Sequence, residues 1–461
     1  MKNLFNTSIN ALCHIIIISM FSCDSFVEVD LPKSQLTTPT VFEDYNTASA
    51  ALLNIYSNIR DAGIFTGTAV GISNQLGNYA DEIKSSESPT NSSLSFYKNT
   101  LLPANTVISG YWNAAYNQIY AANGIIEGSA ASSNLTLDQK NQLQGEALFI
   151  RALVHFYLTN LFGDIPYITS TDYKENSTVS RKPVAEIYGK LTADLENAIL
   201  LLPVQYQGQE RVRPNVLTAK ALLARVYLYS KAYPEAANAS SAVLNREELY
   251  HLESPDRTFL LNSNETIWQL QAGAAGRNTA EAATFTFISI PPPRVSLSSF
   301  LVDSFGAGDL RRSLWIKAVT KNTSTFYHAY KYKENNSTAV SKEYAIMFRL
   351  AEQYLIRAEA RAYQGDLIGA KEDLNKVRHR AGLIDTSAAT QQEILDAIII
   401  ERKWELFTEY GHRFFDLKRT AKLDIVLSGI KPGWNTTDNL LPIPQSEFSA
   451  NPFLGSQNPG Y

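Results

Sequence analysis

An all-α, mainly helical protein with little β structure is the fold this sequence predicts: tetratricopeptide-like helix pairs form a scaffold, with an irregular, loop-rich segment packed on it. Two observations carry that expectation. Apolar side chains recur at helical spacing through much of the chain, and two distant segments can be laid on each other as the same helix pair. Residues 24–41 read as an extended lead-in, because Pro32 and Pro39 interrupt any helical pattern. Ala48, Leu52, Ile55, Tyr56 and Ile59 then fall at i, i+4, i+7, i+8 and i+11, a single apolar stripe. Trp112, Tyr116, Ile119 and Asn123 repeat the geometry. Thr136 and Gln139 form a capping-box start for a long helix carrying Leu143, Ala147, Ile150, Val154, Tyr157 and Leu161, which Gly163 and Pro166 end. Ile187, Leu191, Leu195, Ala198 and Leu202 make a further stripe, with Pro183 in its first turn and Pro203 after its end.

The superposable segments are "TAKALLARVYLYSKAYPEAANASSAVLN" and "AEQYLIRAEARAYQGDLIGAKEDLNKVR". Ala224 matches Ala358, Tyr233 matches Leu367, Ala236 matches Ala370 and Val243 matches Val377. Small residues at the close approach and a short turn between helices are the signature of a tetratricopeptide-type repeat. Two stretches, 62–110 and 262–345, lack helical period and are rich in Ser, Thr, Asn and Gly. Long irregular stretches in a compact protein are commonly functional, so these are the expected ligand-contacting surface.

With 45% apolar residues the chain has the composition of a folded protein. A net charge of −4 without a basic tract argues against nucleic acid as a partner, since phosphate binding needs a concentrated Lys/Arg footprint. The N-terminus carries Lys2, the short apolar run "ALCHIIIISMF" and then Ser22-Cys23-Asp24. That run is too short to span a bilayer, and a cysteine directly after it is the arrangement of a bacterial lipoprotein signal. Residues 1–22 are therefore expected to be removed and Cys23 to be lipidated. Cys13 would leave with the signal, so Cys23 would be the only thiol and no disulfide or thiolate metal site could form.

No nucleophile elbow, Walker A loop, dinucleotide fingerprint or HExxH pair is present, and no cofactor or metal is called for. The six histidines are scattered, and His155 and His412 read as packed, hydrogen-bonded residues. Glu401, Glu405 and Glu409 stack on one helix face and could suggest glycoside hydrolysis, which uses paired carboxylates. Arg402, Arg413 and Arg419 stand close in sequence, however, and pairing with arginine lowers a carboxylate pKa, the wrong direction for a general acid. An ion-pair network is the better account. Aromatic faces suit sugar rings. Those in the irregular stretches are Tyr79, Tyr97, Phe285, Phe287, Trp315, Phe326 and Tyr327, with Asp81, Glu82 and Arg277 as polar candidates nearby.

"YWNAAYNQIYAANGII", "GEALFIRALVHFYLTNLFGDIP", Asp309-Leu310-Arg311, Lys331-Tyr332, "FRLAEQYLIRAEARAYQGDLIGAKEDLNKVRHRAGL", "ERKWELFTEYGHRFFDLKRT" and the closing "NLLPIPQSEFSANPFLGSQNPGY" follow one another in an order that resembles the SusD/RagB family of outer-membrane nutrient-binding lipoproteins. The resemblance implies one domain over residues 23–461, with the helical scaffold at 42–261 and 346–461 and ligand loops in 62–110 and 262–345. It implies a non-enzymatic protein, lipid-anchored on the outer face of the outer membrane. Such a protein captures oligosaccharides, or in some members peptides, for a SusC-like TonB-dependent transporter. The tetratricopeptide-like units would face that transporter. The motif residues would be scaffold, since the family supplies no transferable ligand motif. Besides the peptide alternative, a surface glycoside hydrolase and a purely structural interaction protein remain open.

Overall fold

The computed structural model describes residues 38–461, so the expected signal, Cys23 and most of the lead-in lie outside the described residues. Thr38–Val41 form one helical turn, where the sequence suggested extended chain. Phe42–Tyr461 form a compact unit of their own.

The mainly helical expectation holds. Helices of eight or more residues are α1 (Tyr45–Asp61), α2 (Ile72–Tyr79), α3 (Thr106–Ala131), α4 (Leu137–Phe162), α5 (Val184–Leu201), α6 (Val216–Tyr229), α7 (Tyr233–Leu244), α8 (Leu350–Tyr363), α9 (Leu367–Arg380), α10 (Gln391–Leu406) and α11 (His412–Arg419). The stripe read on α1 is the set of side chains it buries. Helix α4 opens on the expected capping box: Gln139 N–H donates to Thr136 Oγ1 at 3.3 Å, and Thr136 N–H donates to Gln139 Oε1 at 2.9 Å. Pro183 sits one residue earlier than expected, just before α5.

The repeat is equally direct. Helices α6 and α8 begin at Val216 and Leu350, and α7 and α9 at Tyr233 and Leu367, in the register of the superposed segments. Ala224, Ala358, Ala236 and Ala370 are fully buried where the helices meet, since a larger side chain would force them apart.

The two irregular stretches contain more order than their composition suggested. The first holds α2 and a short turn at Leu94–Lys98. The second holds most of the β structure: β1 (Ile83–Ser85), β2 (Thr266–Leu270), β3 (Val295–Leu297), β4 (Ile316–Lys321), β5 (Ser324–Ala329) and β6 (Ala345–Arg349) form three two-stranded antiparallel pairs. β1 pairs with β3, Ile83 opposite Leu297, and so joins the two stretches to each other. β2 pairs with β6, and β4 with β5 across a tight turn where Asn322 takes the left-handed conformation, φ 55°. A core of Ile83, Phe259, Phe285, Leu301, Trp315, Ile316 and Phe407 lies beneath this segment.

A buried charge network ties that segment to the helices. Glu401 and Glu405 stack on α10, but Glu409, expected on the same helix face, falls in the turn after the helix ends at Leu406; the three form an ion-pair array, as expected, but its partners are not the arginines beside it in sequence. Arg311 Nη1 lies 2.7 Å from Glu401 and 2.8 Å from Glu405. Arg349 meets Glu265, Glu405 and Glu409, Arg380 meets Glu405, Arg378 meets Glu401, and Lys331 donates to Glu409 at 2.5 Å. Arg402 and Arg419 instead bind Asp416, Arg419 also binds Glu359, and Arg413 binds Asp81. Nor do all the carboxyls shift alike. Burial raises Glu401 despite Arg311, correcting the expectation of a lowered value, while the surrounding cations outweigh burial and hold Glu405 and Glu409 below the usual range.

Gly411, which opens α11, is held at φ 75°, and a Cβ there would collide with Leu76 of α2. Only glycine meets both conditions without strain. No helix among the described residues is long and apolar enough to cross a membrane.

Candidate ligand-binding site

Two concave sites form where the irregular stretches meet. The larger, about 400 Å³, lies between the end of α1, the loop at Phe65–Thr68, the segment Ala272–Glu281 and the start of β6. Its walls are fixed by hydrogen bonds. Arg60 donates through Nε to Asp61 at 2.6 Å and through Nη1 to the Gln271 carbonyl at 3.1 Å. Thr284 Oγ1 donates to the Gly67 carbonyl at 2.8 Å. Asn278 accepts from Lys342 N–H and Glu343 N–H and donates to the Asn336 carbonyl and Thr338 Oγ1, which uses its whole amide to hold the loop in place. Arg277 is exposed on this wall, and its guanidinium has no partner among the described residues. Glu281 closes the site from below; it accepts from the Thr279 hydroxyl, and burial raises its carboxyl to about 7.

The smaller site, about 210 Å³, is organised by the β1–β3 pair and brings Asp81 and Tyr97 together with Lys84, Phe300 and Lys431. Asp81 is held by two bonds from Arg413, both 2.8 Å. Burial alone would raise its carboxyl, but Arg413 and Lys403 bring it below the ordinary value. Lys431 Nζ lies 4.2 Å from the Tyr97 ring centroid and donates to the Asn78 carbonyl at 2.5 Å. Burial pushes this amine down to about 7. Phe300 is 53% exposed and gives this site an open aromatic rim.

The other sequence candidates lie elsewhere. Tyr79 is fully buried among Phe96, Phe414 and Trp434. Phe285 and Trp315 belong to the core beneath the strands, and Phe287 is buried against His328, so none of these rings is open to a ligand. Phe326 and Tyr327 are half-buried on β5, with the Arg312 guanidinium 4.8 Å from the Tyr327 ring centroid. Phe300, Lys84 and Lys431 were missed: Phe300 follows a run of serines, and Lys431 comes from the C-terminal region, which has no sequence signal linking it to the loops. His155 is packed as expected, stacked 4.0 Å from Tyr167 and bonded to the Arg151 carbonyl and Ile168 N–H. Among the described residues no cluster of three or more His, Cys, Asp or Glu could hold a metal ion.

Glu82, next to Asp81, is buried and receives one long bond, 3.4 Å, from Thr408 N–H. Burial, with the Asp81 charge beside it, raises its carboxyl to about 8, from an ordinary value of 4.5. The folded protein thus keeps a proton that an unfolded chain releases, so this group's contribution is largest below the ordinary value and falls as pH rises towards about 8. Glu82→Gln is expected to flatten that decline. Urea midpoints at about pH 6 and about pH 9 measure it; equal pH dependence in both proteins would refute the assignment.

The terminal motif is scaffold, as the resemblance implies. Asn458 Nδ2 donates to the Phe162 and Leu441 carbonyls at 2.8 Å each, and Gln457 both donates to and accepts from the Ile443 backbone.

A family model described as "Starch-binding associating with outer membrane" matches residues 29–228, and one described as "SusD family" matches residues 315–461. SusD-like protein P2 of Formosa agariphila is 30% identical, covering 77% of this chain and 81% of the relative. The chain belongs to the SusD/RagB family. A SusD superfamily protein from Bacteroides vulgatus superposes with a TM-score of 0.80 at 21% identity, over 91% of this chain and all of that one, which shows the SusD fold. A structure described as a laminarin binding SusD-like protein superposes with a TM-score of 0.75 at 25% identity, over 90% of this chain and 99% of that one.

Proposed function

We propose that this SusD-family protein is a cell-surface lipoprotein that binds oligosaccharides or polysaccharide fragments and delivers them to a SusC-like TonB-dependent transporter in the outer membrane. Acyl chains on Cys23 would anchor it. The observation that carries the ligand class is the likeness, at 25% identity over nearly the whole of both chains, to the laminarin-binding SusD-like protein. The Tyr97–Phe300 rim supports the same reading, because a half-exposed and an exposed ring offer faces for sugar stacking beside polar groups. The protein binds rather than cleaves. Supporting this, Glu401, Glu405 and Glu409 are buried and committed to arginines and Lys331. One observation favours the peptide alternative: the larger site is lined by Arg60, Asp61 and Arg277, and its only rings, Phe65 and Tyr344, are buried.

Affinity gel electrophoresis of the full chain in starch, laminarin and alginate gels tests the proposal. Retardation by one polysaccharide, weakened about tenfold in a Tyr97→Ala/Phe300→Ala variant, is the expected result. Free mobility in every gel, with binding of peptides that Arg277→Ala abolishes, would move the assignment to peptides.

A further inference from the structure

A groove of about 700 Å³ lies outside both irregular stretches, between the first half of α3, the segment from Pro166 to Val179 and the C-terminal segment around Glu447 to Leu454. Trp112, Tyr116 and Tyr120 stand four residues apart on α3, so each ring is about 6 Å along the helix from the next, a step comparable to one sugar ring. The first two are fixed. Trp112 Nε1–H donates to Glu447 at 3.1 Å, Tyr116 O–H donates to the Pro166 carbonyl at 2.9 Å, and their centroids are 4.9 Å apart. Tyr120 and, from the facing segment, Tyr173 are 54% and 73% exposed, large for aromatic side chains lining a concave surface.

Asn113 and Asn117 are exposed beside this ladder, and neither side-chain amide has a partner among the described residues. Each therefore presents both donors and an acceptor to whatever enters. Only one lining residue is charged, Glu447, and its two oxygens already accept from Trp112 and Ser446. Ring faces and free amides, with no cation in the lining, are the complement of a neutral, hydroxyl-rich chain. They match an acidic saccharide or an acidic peptide poorly, since either would bring its charge beside Glu447 without a counter-ion.

We infer that this groove is a second carbohydrate site, taking a neutral saccharide chain along the α3 ladder. It rests on the carbohydrate-binding function proposed above but not on the location of that binding in the loops. Tyr120 and Tyr173 supply the stacking faces, and Asn113 and Asn117 bond the hydroxyls. Trp112 and Tyr116 are positioning residues that form a rigid inner wall.

Calorimetric titration of the full chain with soluble starch and with laminarin tests it, using Tyr120→Ala/Tyr173→Ala, Asn113→Ala/Asn117→Ala and the loop variant Tyr97→Ala/Phe300→Ala. All three pairs replace exposed or half-exposed residues, and an unchanged melting temperature checks folding. The groove variants are expected to weaken binding of one neutral polysaccharide about tenfold. Wild-type affinity in both groove variants, with loss only in the loop variant, would overturn the groove site and leave the proposed function standing. Failure of the wild type to bind either polysaccharide would overturn the groove site, and the proposed function would fall with it only if the alginate gel also gave free mobility. Unchanged polysaccharide binding together with lost co-purification of an outer-membrane barrel would also overturn it, by making the groove a protein interface.

Discussion

Replacing Glu405 with alanine is expected to lower the unfolding free energy by about 3–5 kcal/mol, the cost of breaking a buried ion pair from one side. Its carboxylate is fully buried and shared among Arg311, Arg349 and Arg380, and its backbone carbonyl also accepts from Lys331 at 2.8 Å. Removing the side chain leaves three guanidiniums crowded in the interior with less counter-charge, which no rearrangement of one residue can supply. Because those cations hold the carboxyl below its ordinary value, its contribution is complete above that value and is lost as pH falls through the lower folded one. Urea denaturation at neutral pH checks the first statement, and a shift below about 1 kcal/mol would mean that the neighbouring carboxylates take up the slack. Glu405→Gln, which keeps the shape and loses the charge, should fall between wild type and alanine.

Trp315→Ala should cost a similar amount, about 3–5 kcal/mol, and for a different reason. The indole is fully buried, donates to the Pro255 carbonyl at 2.6 Å and packs edge-on against Phe259 at 5.3 Å. Lys331 Nζ and the Arg380 guanidinium lie 5.0 and 5.2 Å from its ring, so the ring also faces the cations of the network. The loss thus combines a large cavity with cation–π contacts. Trp315→Phe should recover much of it. Affinity for polysaccharide, measured on the folded fraction, should stay at the wild-type value. A variant that folds normally yet loses ligand would return Trp315 to the binding surface.

Trp315 also illustrates where the sequence stops being readable. Helices announce themselves by a stripe, and the α1 stripe and the register of the α6–α7 and α8–α9 pairs could be read residue by residue, as could the capping of α4 by Thr136. Helix α2 could not, because all eight of its residues are buried, Ser73, Asn74, Gln75 and Asn78 included, and a helix buried all round has no polar face to set a period. Strands β2 and β6 are buried at every position and so lack the alternation that marks a strand. Their neighbourhood consequently read as open loop, and its aromatics as ligand platforms. The glutamate ladder shows the same limit from another side. Spacing correctly put Glu401 and Glu405 on one helix face, though Glu409 falls past the helix end at Leu406, but the partners of all three come from residues 311, 331, 349, 378 and 380, and long-range pairing leaves no trace in local spacing.

The shared ion pairs also govern how the molecule can move. Arg349 touches three carboxylates and Glu405 three guanidiniums, so no single contact in the array can slip without disturbing the rest. A shear between the strand-bearing segment and the helices would have to break them all at once. Arg277, Phe300 and Tyr120, exposed at the rims of their cavities, take no part in that array, so a substitution at any of them leaves it intact. It also means that the strand-bearing segment, α9 and α10 must yield to a load together, because each holds charges whose counter-charges lie on the others.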